Sequence, residues 1–102
     1  MTLNDYQQKS IETALPTARS VDYMILGLCN ESGEVAGKWK KKMRDGKFSR
    51  DEMVAELGDV LWYVAGLATE LDVDLESVAQ GNLAKLQSRK ARDMISGSGD
   101  TR

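Results

Sequence analysis

The sequence predicts an all-α fold, an antiparallel four-helix bundle, on three observations. Four stretches carry apolar residues at helical spacing, the junctions between them carry helix start and stop residues, and no strand pattern of comparable strength exists. The first helix is expected from Asn4 to Leu15, with Asn4 and Gln7 spaced as a capping box and Pro16 as the stop. The second is expected from Ser20 to Met43. Its residues Val21, Met24, Leu28, Val35 and Trp39 recur at three or four apart from a gap at Ser32. Arg44-Asp45-Gly46 closes it, because glycine enters a left-handed C-terminal cap freely.

The third helix has the best-defined start. Phe48 is placed as a staple residue, Ser49 as N-cap, Glu52 as its reciprocal acceptor and Met53 where the staple closes. Its stripe is Met53, Leu57, Val60, Val64, Leu67 and Leu71, at the 3.6-residue period. The fourth begins after Asp74, with Val73 and Val78 as a second staple and Leu83, Leu86 and Met94 further along. Residues 1–95 read as one domain and residues 96–102, opening with Ser96-Gly97-Ser98-Gly99, as a flexible C-terminal tail. Short connections make sequential helices antiparallel neighbours. A chain this small, with this much apolar surface, is expected to assemble as a homodimer or a homotetramer built as a dimer of dimers.

Composition narrows the function. Within 102 residues, 14 Lys and Arg stand against 16 Asp and Glu, a net charge of -2 that argues against a duplex-DNA binder. The absence of histidine excludes histidine acid–base catalysis and histidine metal sites. The single Cys29 cannot form an internal disulfide, and no apolar run reaches membrane length, so a cytoplasmic protein with no membrane partner is expected.

Glu31 and Glu34 on the second helix, with Glu56 and Asp59 on the third, are the most informative residues. Carboxylates three apart share a helix face. At about 100° per residue, Glu31, Glu34 and Lys38 fall in one sector, and Glu52, Glu56, Asp59 and Tyr63 in another, each flanking an apolar stripe. Facing stripes would bring the acid sectors together, where like charges need a cation between them. Mg²⁺ suits a few carboxylates plus substrate phosphates. Spacing alone also permits the bland alternative of a solvated acidic face with an ordinary Glu34–Lys38 pair. Gly27 and Gly33 beside the first pair suggest a close backbone approach by another helix or a ligand, since mid-helix glycine otherwise costs about 1 kcal/mol.

The ordered set Gly27-Leu28-Cys29-Asn30-Glu31-Ser32-Gly33-Glu34-Val35, then Glu56-Leu57-Gly58-Asp59-Val60-Leu61-Trp62-Tyr63, then Asn82-Leu83-Ala84-Lys85-Leu86 with Arg89, resembles the MazG-like branch of the all-alpha nucleoside triphosphate pyrophosphatase superfamily. The likeness spans most of the chain, from about Met24 to Arg89, and both acid motifs are intact. It implies that Glu31, Glu34, Glu56 and Asp59 hold Mg²⁺, with Mn²⁺ as a substitute. It also implies that a nucleoside triphosphate is cleaved to the monophosphate and pyrophosphate by a dimer or a tetramer of such dimers. Asn82 is then placed near the base or sugar, Lys85 and Arg89 near phosphates, and Tyr63 in the substrate site.

Glu34 is expected to act as general base, because a carboxylate beside the ligands can orient the attacking water. Lys38 and Lys42 lie nearer the acid sector and are expected to meet phosphates, whereas Lys40 and Lys41 close a helix C-terminus and face water. Trp62 is able to stack a base, while Trp39 falls in the apolar stripe and is expected in the core. Two rival classes are a non-enzymatic helical interaction or regulatory module and a nucleic-acid binder using the lysine-rich end of the second helix. The acid cluster argues against the second.

Overall fold

The computed structural model describes residues 1–102 as four α-helices without strands: α1 Leu3–Ile11, α2 Val21–Asp45, α3 Arg50–Glu70 and α4 Leu75–Ala91. A 3-10 turn, Pro16–Ala18, lies between α1 and α2. Proline suits the first position of such a turn, where its missing N–H is not needed. No helix is long and apolar enough to cross a membrane.

Most boundaries follow from local chemistry. Ser20, Ser49 and Asp74 each accept a hydrogen bond from the backbone N–H three residues on, at Tyr23, Glu52 and Ser77. These bonds satisfy donors that a helix start leaves free. Gly46 ends α2 with φ 74°, a left-handed conformation that glycine adopts without strain.

Three details differ from the sequence reading. The N-cap of α1 is Thr2, which exchanges hydrogen bonds with Asp5 in a capping box, and the helix ends at Ile11, well before Pro16. Asn4 and Gln7 serve the tertiary fold instead. Asn4 accepts from the Glu76 N–H, while Gln7 accepts from the Leu75 N–H and donates to Thr69 and the Val73 carbonyl. Two side chains of α1 thus satisfy the free donors at the start of α4 and fix where that helix departs. The Ser49 cap is one-sided, because the Glu52 carboxylate lies 3.7 Å from the Lys38 ammonium instead of returning to the Ser49 backbone.

α2 and α3 form an antiparallel pair, and α1 lies across α3. Met24 is fully buried, beside Ala14 and Ala18, with Ile11, Trp62, Tyr63 and Leu67 packed around them. The buried positions of α3 are Ala65, Gly66 and Ala68. A β-carbon on Gly66 would strike the Met24 thioether, so the small residues are what let α2 approach. The expected large stripe is less covered: Leu57 and Leu71 stay exposed, as do Val78, Leu83, Leu86 and Met94 on and after α4.

α4 makes no close backbone approach to α2, so the four helices do not close into a bundle within one chain. The radius of gyration is 16.2 Å, against about 13 Å for a compact domain of this length. The helix count matches expectation. Leu57 and Leu61 on α3 and Leu83 and Leu86 on α4 stay open to solvent.

Candidate metal and nucleotide site

The α2–α3 pair brings together Glu31, Glu56 and Asp59, whose carboxylate oxygens all come within 4.8 Å of one another. The helical register does this. Glu56 and Asp59 share a face of α3 at three-residue spacing, and that face opposes Glu31 across the antiparallel pair. Burial raises the pKa of the Glu31 carboxyl, and the charges of Asp59 and Glu56, a proton-sharing contact with Glu56 and the charge of Glu34 raise it further. Glu34 itself is exposed and stands outside the trio, although its charge is felt there.

One cation opposes the trio. Lys38 Nζ lies 3.8 Å from Glu56 Oε1, and it also faces Glu52. A single ammonium against this many carboxylates leaves a surplus of negative charge at a cluster of oxygen donors. Such a donor set fits a hard dication of the Mg²⁺ type and not a soft metal.

Aromatic side chains adjoin the acids. Glu31, Asp59, Trp62 and Tyr63 line a cleft of about 290 Å³. The Tyr63 ring meets Trp62 edge-on at 4.9 Å and Tyr23 at 6.5 Å. Trp62 is held by a hydrogen bond from its indole N–H to Thr13 Oγ1, 2.9 Å long. Gly27 explains why Tyr63 can sit here, since any β-carbon at that position would overlap the ring. The expected close approach is therefore real at Gly27, whereas Gly33 has open space around it. Burial raises the hydroxyl pKa of both Tyr63 and Tyr6. At Tyr63 the next contribution is Tyr23, followed by Glu31 and weaker effects; at Tyr6 it is the charge of Asp59.

On the other side of Lys38 opens a second cleft of about 400 Å³, lined by Lys38, Lys41, Asp45, Lys47, Phe48, Ser49 and Glu52. Sequence reasoning assigned Lys41 to solvent and passed over Lys47. The run of lysines at the end of α2 was the available signal.

Trp39 is not in the core. It is about half exposed, packs edge-on against Phe48 at 5.5 Å, and carries the Lys42 ammonium 4.4 Å above its ring. Lys42 is thereby held over aromatic faces and is not drawn to the acid trio. Asn82 is exposed on α4. Lys85 and Arg89 both reach the Asp100 carboxylate, at 2.7 and 3.2 Å, and neither pairs with the acids of α2 and α3. The structure thus joins Glu31, Glu56, Asp59, Tyr63 and Lys38 in one place and leaves Glu34, Lys42 and the α4 trio outside it.

Residues 19–92 match a family profile described as the MazG nucleotide pyrophosphohydrolase domain. Across its whole length the chain is similar to the Gene 37 protein of Mycobacterium phage L5, which is 48% identical over 114 residues with both chains covered completely. No solved structure matches.

Proposed function

Because the chain belongs to the MazG nucleotide pyrophosphohydrolase family, we propose that it hydrolyses a nucleoside triphosphate, ribo or deoxy, to the monophosphate and pyrophosphate with Mg²⁺, Mn²⁺ being able to substitute. The observation that carries this reading is the convergence of Glu31, Glu56 and Asp59 between an aromatic cleft and a lysine-lined one. Glu31, Glu56 and Asp59 hold the metal with Glu34, one turn along α2 from Glu31. A divalent ion held by these carboxylates would supply charge neutralisation for the phosphates and a water of lowered pKa.

The chain's own groups divide the remaining work. Glu34, the most solvent-accessible glutamate of its motif, orients the water and takes its proton. Lys38 leaves its long contacts with Glu52 and Glu56 to meet phosphate oxygens. Trp62 and Tyr63 present ring faces and edges to the base. Asn82 offers both a donor and an acceptor for a base edge or sugar hydroxyl, and Lys85 and Arg89 offer positive charge.

Those three α4 residues do not reach the acids within one chain, so a second copy supplies them, in a homodimer or a dimer of dimers. The exposed leucines of α3 and α4 and the expanded radius of gyration favour such a partner. Product identity tests the reaction. Purified protein incubated with Mg²⁺ and a panel of triphosphates is expected to release monophosphate and intact pyrophosphate. Diphosphate with orthophosphate refutes the cleavage position, and no turnover by the metal-loaded oligomer refutes the enzyme.

A further inference from the structure

The segment 96–102 does not trail away from α4. Gly97 and Gly99 take φ 109° and 88°, conformations that residues with a β-carbon rarely adopt, and they turn the chain back on itself. The fold-back is tied down at its end. Arg102 donates to the carbonyls of Met94, Ile95 and Gly99, and Arg92 donates to the Arg102 carbonyl. Between these anchors, Asp100 is delivered to α4. Its Oδ1 accepts from Lys85 Nζ at 2.7 Å and from Arg89 at 3.2 Å, and its backbone carbonyl also accepts from the Arg89 guanidinium.

Two cations therefore converge on one anionic oxygen, which is the geometry of an anion site. The two sides of the contact differ sharply in exposure. The Arg89 side chain is 6% exposed, while Asp100 is 80% exposed. Asp100 can return to water with little penalty, whereas the Arg89 guanidinium is covered with the tail in place and forms the buried half of the contact. Two cations aimed at one point favour an anion in place of Asp100. Hydrogen bonds from Lys85 and then Arg89, followed by the charge of Lys85, hold Asp100 below its usual carboxylate range, so the latch is charged at neutral pH.

We propose that residues 96–102 form an intramolecular latch in which the Asp100 carboxylate occupies an anion site made by Lys85 and Arg89 and competes there with phosphate groups of a ligand. The latch rests on the hydrolase reading only for the natural ligand, a nucleotide or its pyrophosphate product. Its existence as an anion site is independent of turnover. In the latched state the α4 cations are quenched by the chain itself, and binding of a polyphosphate releases the tail.

The test is calorimetric titration of the full chain with inorganic pyrophosphate in the presence of a chelator, so that no hydrolysis or metal binding enters. Asp100→Asn removes the competing charge and is expected to tighten pyrophosphate binding about three- to fivefold, the range set by an exposed ion pair. Adding Lys85→Met should abolish that gain, which separates this site from the lysine cleft at the end of α2. Equal or weaker binding by Asp100→Asn overturns the latch. A gain that survives Lys85→Met overturns the assignment to this site, and absence of pyrophosphate binding in every variant overturns both. Failure of the hydrolase reading would appear elsewhere, as triphosphates bound but not cleaved.

Discussion

Gly27 and Gly33 offer a matched pair on one helix, and the same substitution should act with opposite sign at each. Alanine in place of a mid-helix glycine gains about 0.8–1.0 kcal/mol from backbone entropy. At Gly33 nothing lies within 4 Å of the added β-carbon, so Gly33→Ala should stabilise the protein by roughly that amount. At Gly27 the new carbon would overlap three atoms of the Tyr63 ring. That ring cannot simply swing aside, because Trp62 and Tyr23 pack against it. Overpacking of this kind costs about 1–3 kcal/mol. The propensity gain cancels between the two variants, so the gap in stability between them equals the overpacking cost. With a urea m-value of about 2 kcal/mol/M, a gap of about 2 kcal/mol separates the unfolding midpoints by roughly 1 M. Both proteins should be unfolded at one fixed concentration, since any assembly makes stability depend on it. Coincident midpoints, or a higher midpoint for Gly27→Ala, would refute the claim that Gly27 exists to admit Tyr63.

Glu56→Gln removes one of the three converging carboxylates, so Mg²⁺ should bind about tenfold more weakly and its linked stabilisation fall by about 1.4 kcal/mol at saturating metal. A melting-temperature rise with Mg²⁺ as large as that of the parent protein would count against Glu56 as a ligand. Backbone hydrogen bonds from Thr2 and Ser77 are the largest effects holding Asp5 and Asp74 below the usual aspartate value. Because folding depresses these pKa values, the stability they confer is complete above about pH 3.9 and is lost as pH falls through the folded values. Asp74→Asn keeps a capping acceptor without a titrating charge, so its melting temperature should decline less steeply in acid, and an unchanged acid slope would dismiss the cap as a source of pH dependence.

Features written in a few adjacent residues were legible in the sequence. Ser20, Ser49, Asp74 and Gly46 act at helix ends where their spacing puts them, because a cap needs only its own backbone turn. The same logic misled at Asn4 and Gln7, whose spacing mimics a capping box but whose partners lie on α4, more than 60 residues away. Two helix endings gave no sequence signal at all. Asp72 and Asp93 adopt positive φ, at 58° and 56°, where glycine would be the usual clue. The site was partly legible for a related reason. Three-residue spacing places Glu56 and Asp59 together on α3, but which glutamate of α2 faces them depends on how the two helices rotate against each other. Periodicity alone leaves that rotation open, and the structure selects Glu31.

Charge explains why the chain separates its acids from Lys85 and Arg89. Lys85 and Arg89 packed beside Glu31, Glu56 and Asp59 would neutralise them and leave little field for a divalent ion. Held on α4, away from α2 and paired with Asp100, they do not quench the acid trio. Only Lys38 touches that trio, through a contact of 3.8 Å, longer than a strong charged hydrogen bond and so readily exchanged. Under the function proposed above, a polyphosphate anion is the ligand that both halves would accept, the acids by way of a divalent ion and the cations directly. Under the assembly proposed above, the exposed leucines of α3 and α4 supply the apolar contact between copies, and the nucleotide joins the two sets of charges that one chain keeps apart.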